Sequence, residues 1–161
     1  MKKKLIFGLS AGRSGSASLA LLLSNQNNTM VTHELFPVLS WDNSKRNNIQ
    51  FRWEQLHHQS HLFDVVGDVG IYYLPYVNFL MNSWKKLPYL QEKYELKFII
   101  LQRQKEKVVA SYLEKFSKQN NNPLQNHGDD NLVTNEWDKC FPKYDDVSLE
   151  KAISLFYDDY Y

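Results

Sequence analysis

The residues best suited to chemistry begin at Gly8. The stretch Gly8-Leu9-Ser10-Ala11-Gly12-Arg13-Ser14-Gly15-Ser16-Ala17-Ser18 joins an apolar run that starts at Lys4 to an Ala- and Leu-rich run that ends at Leu23. A strand feeding a glycine-rich turn and then a helix aims successive backbone N–H groups at one point, beside the positive end of the helix dipole. That point suits a phosphate or a sulfate. Gly12 and Gly15 let the backbone bend and approach an anion. Arg13 adds a forked cation, and Ser14, Ser16 and Ser18 add hydroxyls. The spacing is not that of a Walker A loop, because three residues separate Gly8 from Gly12 and Arg13-Ser14 stands in place of Lys-Ser/Thr. The Gly-x-Gly-x-x-Gly dinucleotide fingerprint is absent.

A second group lies in Lys97 to Tyr112, where a buried strand leads to Arg103 and a helix then carries Ser111. Arg103 offers a cation at the strand end, and Ser111 a hydroxyl. Candidates for a general base are His33 and Glu34 first and Asp68 second, because all follow or end predicted strands on the edge where open α/β sheets bind ligands. Asp68 is also the one weak candidate for a Mg²⁺ ligand of the kind a nucleoside triphosphatase needs. His57, His58 and His61 read as a solvated helix end rather than a zinc site, since no nearby Cys or carboxylate completes a set. No metal site is expected.

Strands and helices must alternate to position these groups. Lys4–Leu9, Thr29–His33, Leu62–Val69 and Leu96–Leu101 read as strands. Helices are expected from Ala17 to Leu23, from a Ser44 cap to about His57 with Ile49, Phe51, Trp53 and Leu56 as its apolar residues, from Tyr72 to Trp84, from Lys105 to Lys118, and onward from a Ser148 cap. Gln119 to Asn131 reads as a loop. Trp41, Trp53, Tyr72, Tyr73 and Tyr76 are either core or the wall of an acceptor pocket. The pattern predicts a single α/β domain over residues 1–161, P-loop-like and three-layered, with a central parallel sheet flanked by helices.

Composition removes several function classes. A formal net charge of +1 gives no broad basic field for nucleic acid, so any anion must be held by a local site. The single cysteine, Cys140, excludes an intrachain disulfide and fits a reducing compartment. Met1-Lys2-Lys3-Lys4-Leu5-Ile6-Phe7 starts like a secretory leader, but Gly8, Ser10 and Arg13 interrupt the apolar stretch. No run approaches the length of a membrane span. A cytoplasmic location is expected.

Taken together, Arg13-Ser14-Gly15-Ser16 and the eight-residue step from Arg103 to Ser111 resemble the superfamily of sulfotransferases that use 3′-phosphoadenosine 5′-phosphosulfate (PAPS), in the manner of small bacterial or phage members. The resemblance runs from about Lys3 to Tyr112. It implies that Gly12, Arg13, Ser14, Gly15, Ser16, Ala17 and Ser18 cradle the 5′-phosphosulfate. It implies that Arg103 and Ser111 hold the 3′-phosphate, and that a His or Glu is the base. It also implies that Gly67 to Tyr76 lines an acceptor cleft. The sulfuryl group would pass without a metal to a hydroxyl or amine of a small molecule or glycan. The chain departs from the family at Ala17, where a hydroxyl is usual, at Gln104 and Lys105, and in lacking a C-terminal Gly- and Lys-rich loop. A P-loop-type small-molecule kinase and a non-catalytic nucleotide-binding module are the alternatives.

Overall fold

In the computed structural model, residues 2–42, 47–119, 122–125 and 136–161 are described. Ser44 and most of the predicted Gln119–Asn131 loop lie outside them. Four strands form one parallel sheet: β1 (Lys3–Ser10), β2 (Thr29–His33), β3 (Val65–Gly70) and β4 (Tyr94–Leu101), in the order β2-β3-β1-β4. The helices are α1 (Ser16–Ser24), α2 (Asn47–Gln59), α3 (Val77–Lys86), α4 (Pro88–Lys93), α5 (Lys105–Gln119) and α6 (Leu149–Tyr160). Short 3₁₀ turns at Leu74–Tyr76 and Glu136–Cys140 complete the description. The expected three-layer α/β architecture is therefore present.

The layers are unequal. Side chains alternate along β1, so Leu5, Phe7 and Leu9 face one layer while Ile6 and Gly8 face the other. On the first face Phe7 stacks on Trp53 and Phe98 and meets the edge of Tyr73, with ring centroids at 6.0, 6.0 and 5.1 Å. Helices α2 to α6 add Ile49, Leu56, Leu80, Leu90, Val108, Tyr112, Phe116 and Phe156 to this core. On the second face the described residues offer a single helix, α1, whose Ala20 packs on Val31 and Val69. Its outer side leaves Leu21 and Leu22 exposed.

Several boundaries differ from expectation for identifiable reasons. β3 begins at Val65 rather than Leu62, because His61 and Leu62 close the turn that ends α2 through N–H bonds to His58 and Gln59. Pro75 sits in a 3₁₀ turn, and α3 starts only at Val77. The short α4, opened by Pro88, carries too few periodic residues to be read from sequence. The apolar face of α2 is also different. Ile49 and Leu56 are buried as expected, but Phe51 is exposed and Arg52 is wholly buried at the helical spacing between them. Trp41, Tyr72, Tyr73 and Tyr76 belong to the core, with Trp41 edge-on to Phe156 at 5.6 Å. Ser148 does cap α6, its Oγ accepting from the Lys151 N–H at 3.2 Å. Among the described residues no helix is long and apolar enough to cross a membrane.

This topology sets the place of a site. From β1 the chain leaves through α1 on one face. From β3 it leaves through α3 on the other. The two connections diverge and open a crevice at the C-terminal ends of adjacent parallel strands.

Candidate functional site: a cationic cleft at the strand ends

A cleft of about 550 Å³ occupies that crevice. It draws residues from beyond all four strands: Gly12, Arg13, Gly15, Ser16 and Ala17 after β1, His33 and Glu34 at the end of β2, Ile71 after β3, and Arg103 after β4. Helix α5 adds Ser111, Tyr112, Lys115 and Phe116, and the segment around the second 3₁₀ turn adds Trp137, Asp138 and Phe141.

The glycine loop is bent as an anion cradle needs. Gly12, Arg13 and Gly15 all have positive φ, at 79°, 52° and 96°. Gly12 has no room for a side chain, because a Cβ there would overlap the Tyr112 hydroxyl. Gly15 caps α1 and faces open space. The backbone N–H groups of Arg13 to Ser18 have no acceptor among the described residues; the first helical bond is Leu19 N–H to Gly15 C=O at 2.9 Å. Arg13 adopts the left-handed conformation without being glycine, at a cost of about 1 kcal/mol or more.

The loop is held from behind by tyrosines that its own sequence gives no hint of. Tyr160 Oη accepts the Ser10 N–H at 2.8 Å, and Tyr161 Oη accepts the Ala11 N–H at 3.3 Å while donating to the Leu101 carbonyl. Tyr157 donates to the Arg103 carbonyl at 2.6 Å, and Tyr112 donates to the Ala11 carbonyl at 2.7 Å. These bonds fix the ends of β1 and β4 and engage none of the N–H groups of Arg13 to Ser18.

Three side chains expected at an anion site come together although they lie far apart in sequence. Arg13 Nε donates to Ser111 Oγ at 2.8 Å, and Arg103 Nη1 donates to the Arg13 carbonyl at 2.8 Å. Two other loop residues point elsewhere: Ser14 Oγ turns back to the Gly12 carbonyl at 2.9 Å, and Ser18 lies exposed on α1 away from the cleft lining. Of the segment Gly67 to Tyr76, Ile71 is the residue that lines the cleft.

His33 and Glu34 reach the cleft and differ in character. His33 Nε2 lies 3.0 Å from Ser16 Oγ. Burial lowers its pKa, partly opposed by Asp68, so the imidazole is neutral near pH 7. Its Nδ1 is 3.9 Å from Glu34 Oε2, too far for a hydrogen bond. Burial pushes Glu34 up to about 7, with Lys115 opposing and Asp68 adding to the rise. Glu34 also holds a left-handed backbone, φ 52°, fixed by its N–H bond to the Val69 carbonyl at 2.9 Å.

Asp68 does not face the cleft. It is fully buried, and Arg52 Nη1 donates to its Oδ2 at 2.8 Å. Tyr73 and Tyr72 donate to the same oxygen at 2.6 and 3.2 Å, while Thr32 Oγ1 and the Leu35 N–H supply Oδ1 at 2.6 and 3.0 Å. Arg52 also donates to the carbonyls of Leu35 and Pro37. With both oxygens occupied, Asp68 is neither placed as a base nor open as a Mg²⁺ ligand. Its part is to hold the segment that follows Glu34. No group of three or more His, Cys, Asp or Glu among the described residues is arranged to hold a metal, and the rings of His57, His58 and His61 pack edge to face.

Lys115 also lines the cleft, and sequence reading passes over it. It lies one helical turn beyond Ser111, so the α5 face that carries Ser111 also carries an ammonium. Comparison with known protein families, characterised proteins and solved structures found no match to this chain.

Proposed function

We propose that the cleft binds PAPS and transfers its sulfuryl group to a hydroxyl or amine of a small molecule or glycan. The observation that carries this reading is the convergence of Arg13, Arg103 and Ser111 beside the loop's row of unpartnered N–H groups. Two phosphate signals that are separate in sequence form one surface, as a nucleotide with anionic groups at two positions requires. Inorganic phosphate alone would need only the loop.

In this reading the acceptor oxygen attacks sulfur, the bond from sulfur to the phosphate oxygen breaks, and that oxygen leaves with the electron pair. Arg13 and the N–H groups of Ser14 to Ser16 stabilise the charge that grows on the leaving oxygen. Glu34 takes the acceptor's proton, and its pKa of about 7 matches such a task near neutrality. His33, neutral and beside Ser16, is the second group able to accept it. The kinase alternative is less well supported, because Asp68, the acid it would use for Mg²⁺, is consumed by Arg52.

The test is binding of the product nucleotide, 3′-phosphoadenosine 5′-phosphate (PAP), against ATP. PAP at about a hundredfold over its Kd should stabilise the fold by about 2.7 kcal/mol without metal. Arg103→Ala and Ser111→Ala should weaken PAPS much more than adenosine 5′-phosphosulfate, which lacks the 3′-phosphate. A Mg²⁺-dependent preference for ATP, or equal losses for both sulfated nucleotides, overturns the reading.

A further inference from the structure

The sheet has two outer strands, and they end in different ways. β2 is five residues long, and α1 reaches over to close its edge. Ser24 Oγ accepts the Val31 N–H at 2.9 Å and donates to the Val31 carbonyl at 2.6 Å, so this pair of edge groups is spent. β4 is eight residues long and bonds β1 on one side. Beyond the sheet its backbone is engaged at the two ends, where the Tyr94 N–H bonds the Leu90 carbonyl and the Leu101 carbonyl accepts from Tyr161. From Glu95 to Ile100 no other backbone bond is made among the described residues.

That edge lacks most of the usual protections. It holds no proline, and its register with β1 runs unbroken from Tyr94 to Leu101, so no bulge turns it away. Leu96, Phe98, Ile99, Ile100 and Leu101 make it mostly apolar, and Ile100 is 65% exposed. A regular, open, apolar edge is a template for another strand.

The two charges within it decide which strand. Glu95 and Lys97 lie on the same face of the sheet, and Lys97 Nζ meets Glu95 Oε1 at 2.6 Å. A two-fold axis normal to the sheet would set each β4 residue opposite one of the same face in a second copy. Centred on Lys97, it opposes two lysines, and centred on Glu95, two carboxylates; like charges directly opposite are unfavourable. Centred on Phe98, it sets Lys97 against Ile99. Centred on Leu96, it sets Glu95 opposite Lys97 twice and Tyr94 opposite Phe98 twice. The strand is complementary in charge to its own reverse.

We propose that β4 is a dimerisation edge, which pairs antiparallel with β4 of a second copy about a two-fold axis through Leu96. Two four-stranded sheets then become one continuous sheet. The paired strands run in opposite directions, so the two clefts open at opposite ends of that sheet, each built from one chain. The inference therefore stands apart from what the cleft binds.

Sedimentation velocity on the full chain measures it. The wild-type protein should be mainly dimeric at about 100 μM, within reach of a small interface. Lys97→Glu leaves carboxylates opposite carboxylates across the axis, and Glu95→Lys leaves ammoniums opposite ammoniums. Each variant alone should dimerise about tenfold more weakly or worse. Mixed in equal amounts, the two variants restore opposite charges and should form a heterodimer. The double reversal should dimerise by itself. Both side chains are about half exposed, so their reversal leaves the fold in place. A monomeric wild type, a dimer that either single reversal leaves unchanged, or two variants that remain monomeric when mixed overturns the inference.

Discussion

Two polar clusters stand at the C-terminal ends of the same parallel strands, and they are built on opposite terms. In the Arg52–Asp68 knot each oxygen of the carboxylate is met by donors, and the guanidinium donates to Asp68, Tyr73, Gln55 and two carbonyls. Nothing in it is left over for a ligand. In the cleft, Arg13 and Glu34 hold left-handed backbones, Lys115 has no carboxylate partner among the described residues, and the N–H groups of Arg13 to Ser18 have no acceptor among them. Residue type does not distinguish the two places, since both hold an Arg and an acid. What distinguishes them is whether the groups satisfy one another. A buried, completed network specifies structure, whereas convergent groups left incomplete are the ones available for chemistry.

The sharpest way to break this contrast is to remove one partner from the knot. Asp68→Ala should cost about 3–5 kcal/mol of unfolding free energy in urea, because Arg52 is left buried and charged without its carboxylate partner. A loss under about 1 kcal/mol would mean the knot is not the sealed structure its distances describe.

The reverse test is on Arg13, at the cleft. Arg13→Ala should change stability by no more than about 0.5 kcal/mol, since the side chain is exposed and leaves no cavity. It should lower turnover by about a hundredfold to a thousandfold once an acceptor is known, the usual worth of a donor aimed at developing charge. Near-normal turnover would reduce the loop to a helix cap.

Glu34 sharpens the comparison through pH. Its folded pKa, about 7, is raised from the ordinary 4.5, so the folded state binds more protons than the unfolded state between those values. Stability is therefore full below about pH 4 and declines as pH rises to about 7, by at most about 3 kcal/mol. Glu34→Gln should match the wild type in acid and exceed it at about pH 8 in parallel urea titrations. Turnover should move the other way, rising through about pH 7 as the base ionises. A wild-type stability curve as flat as that of Glu34→Gln would remove the raised pKa.

The smallest expected effect tests where the two regimes meet. Tyr160→Phe leaves the Ser10 N–H without its acceptor and should cost about 1 kcal/mol by urea titration. An unchanged midpoint would show that the loop does not depend on α6.

Much of this arrangement was legible in the chain. The strand–loop–helix at Lys3 to Ser24, the step from Arg103 to Ser111 and the Ser148 cap are local patterns, and local patterns carry their geometry with them. The helix α2 is legible, but its buried face is not, because an apolar count favours Phe51 whereas the buried stripe runs through Ile49, Arg52 and Leu56. Arg52 is tolerated there only by virtue of Asp68, which belongs to a different element, so no window of sequence around either residue reveals the pair. That hidden partner is also why Asp68 reads as a base at a strand end. The tyrosines of α6 escaped for the same reason.

Those tyrosines carry a further consequence, one of timing. The N–H groups of Ser10 and Ala11 wait for hydroxyls 150 residues later in the chain. As a polypeptide emerges from the ribosome N-terminus first, the glycine loop appears early, gains the Tyr112 bond to the Ala11 carbonyl part-way, and lacks its remaining braces until Tyr160 and Tyr161 have been added. Closing so long a loop is slow compared with forming the local turn and helix. The cradle is thus fully braced only after residues 150 positions downstream have been added, and a nascent chain stalled before Tyr157 should hold PAP less tightly than one extended past Tyr161.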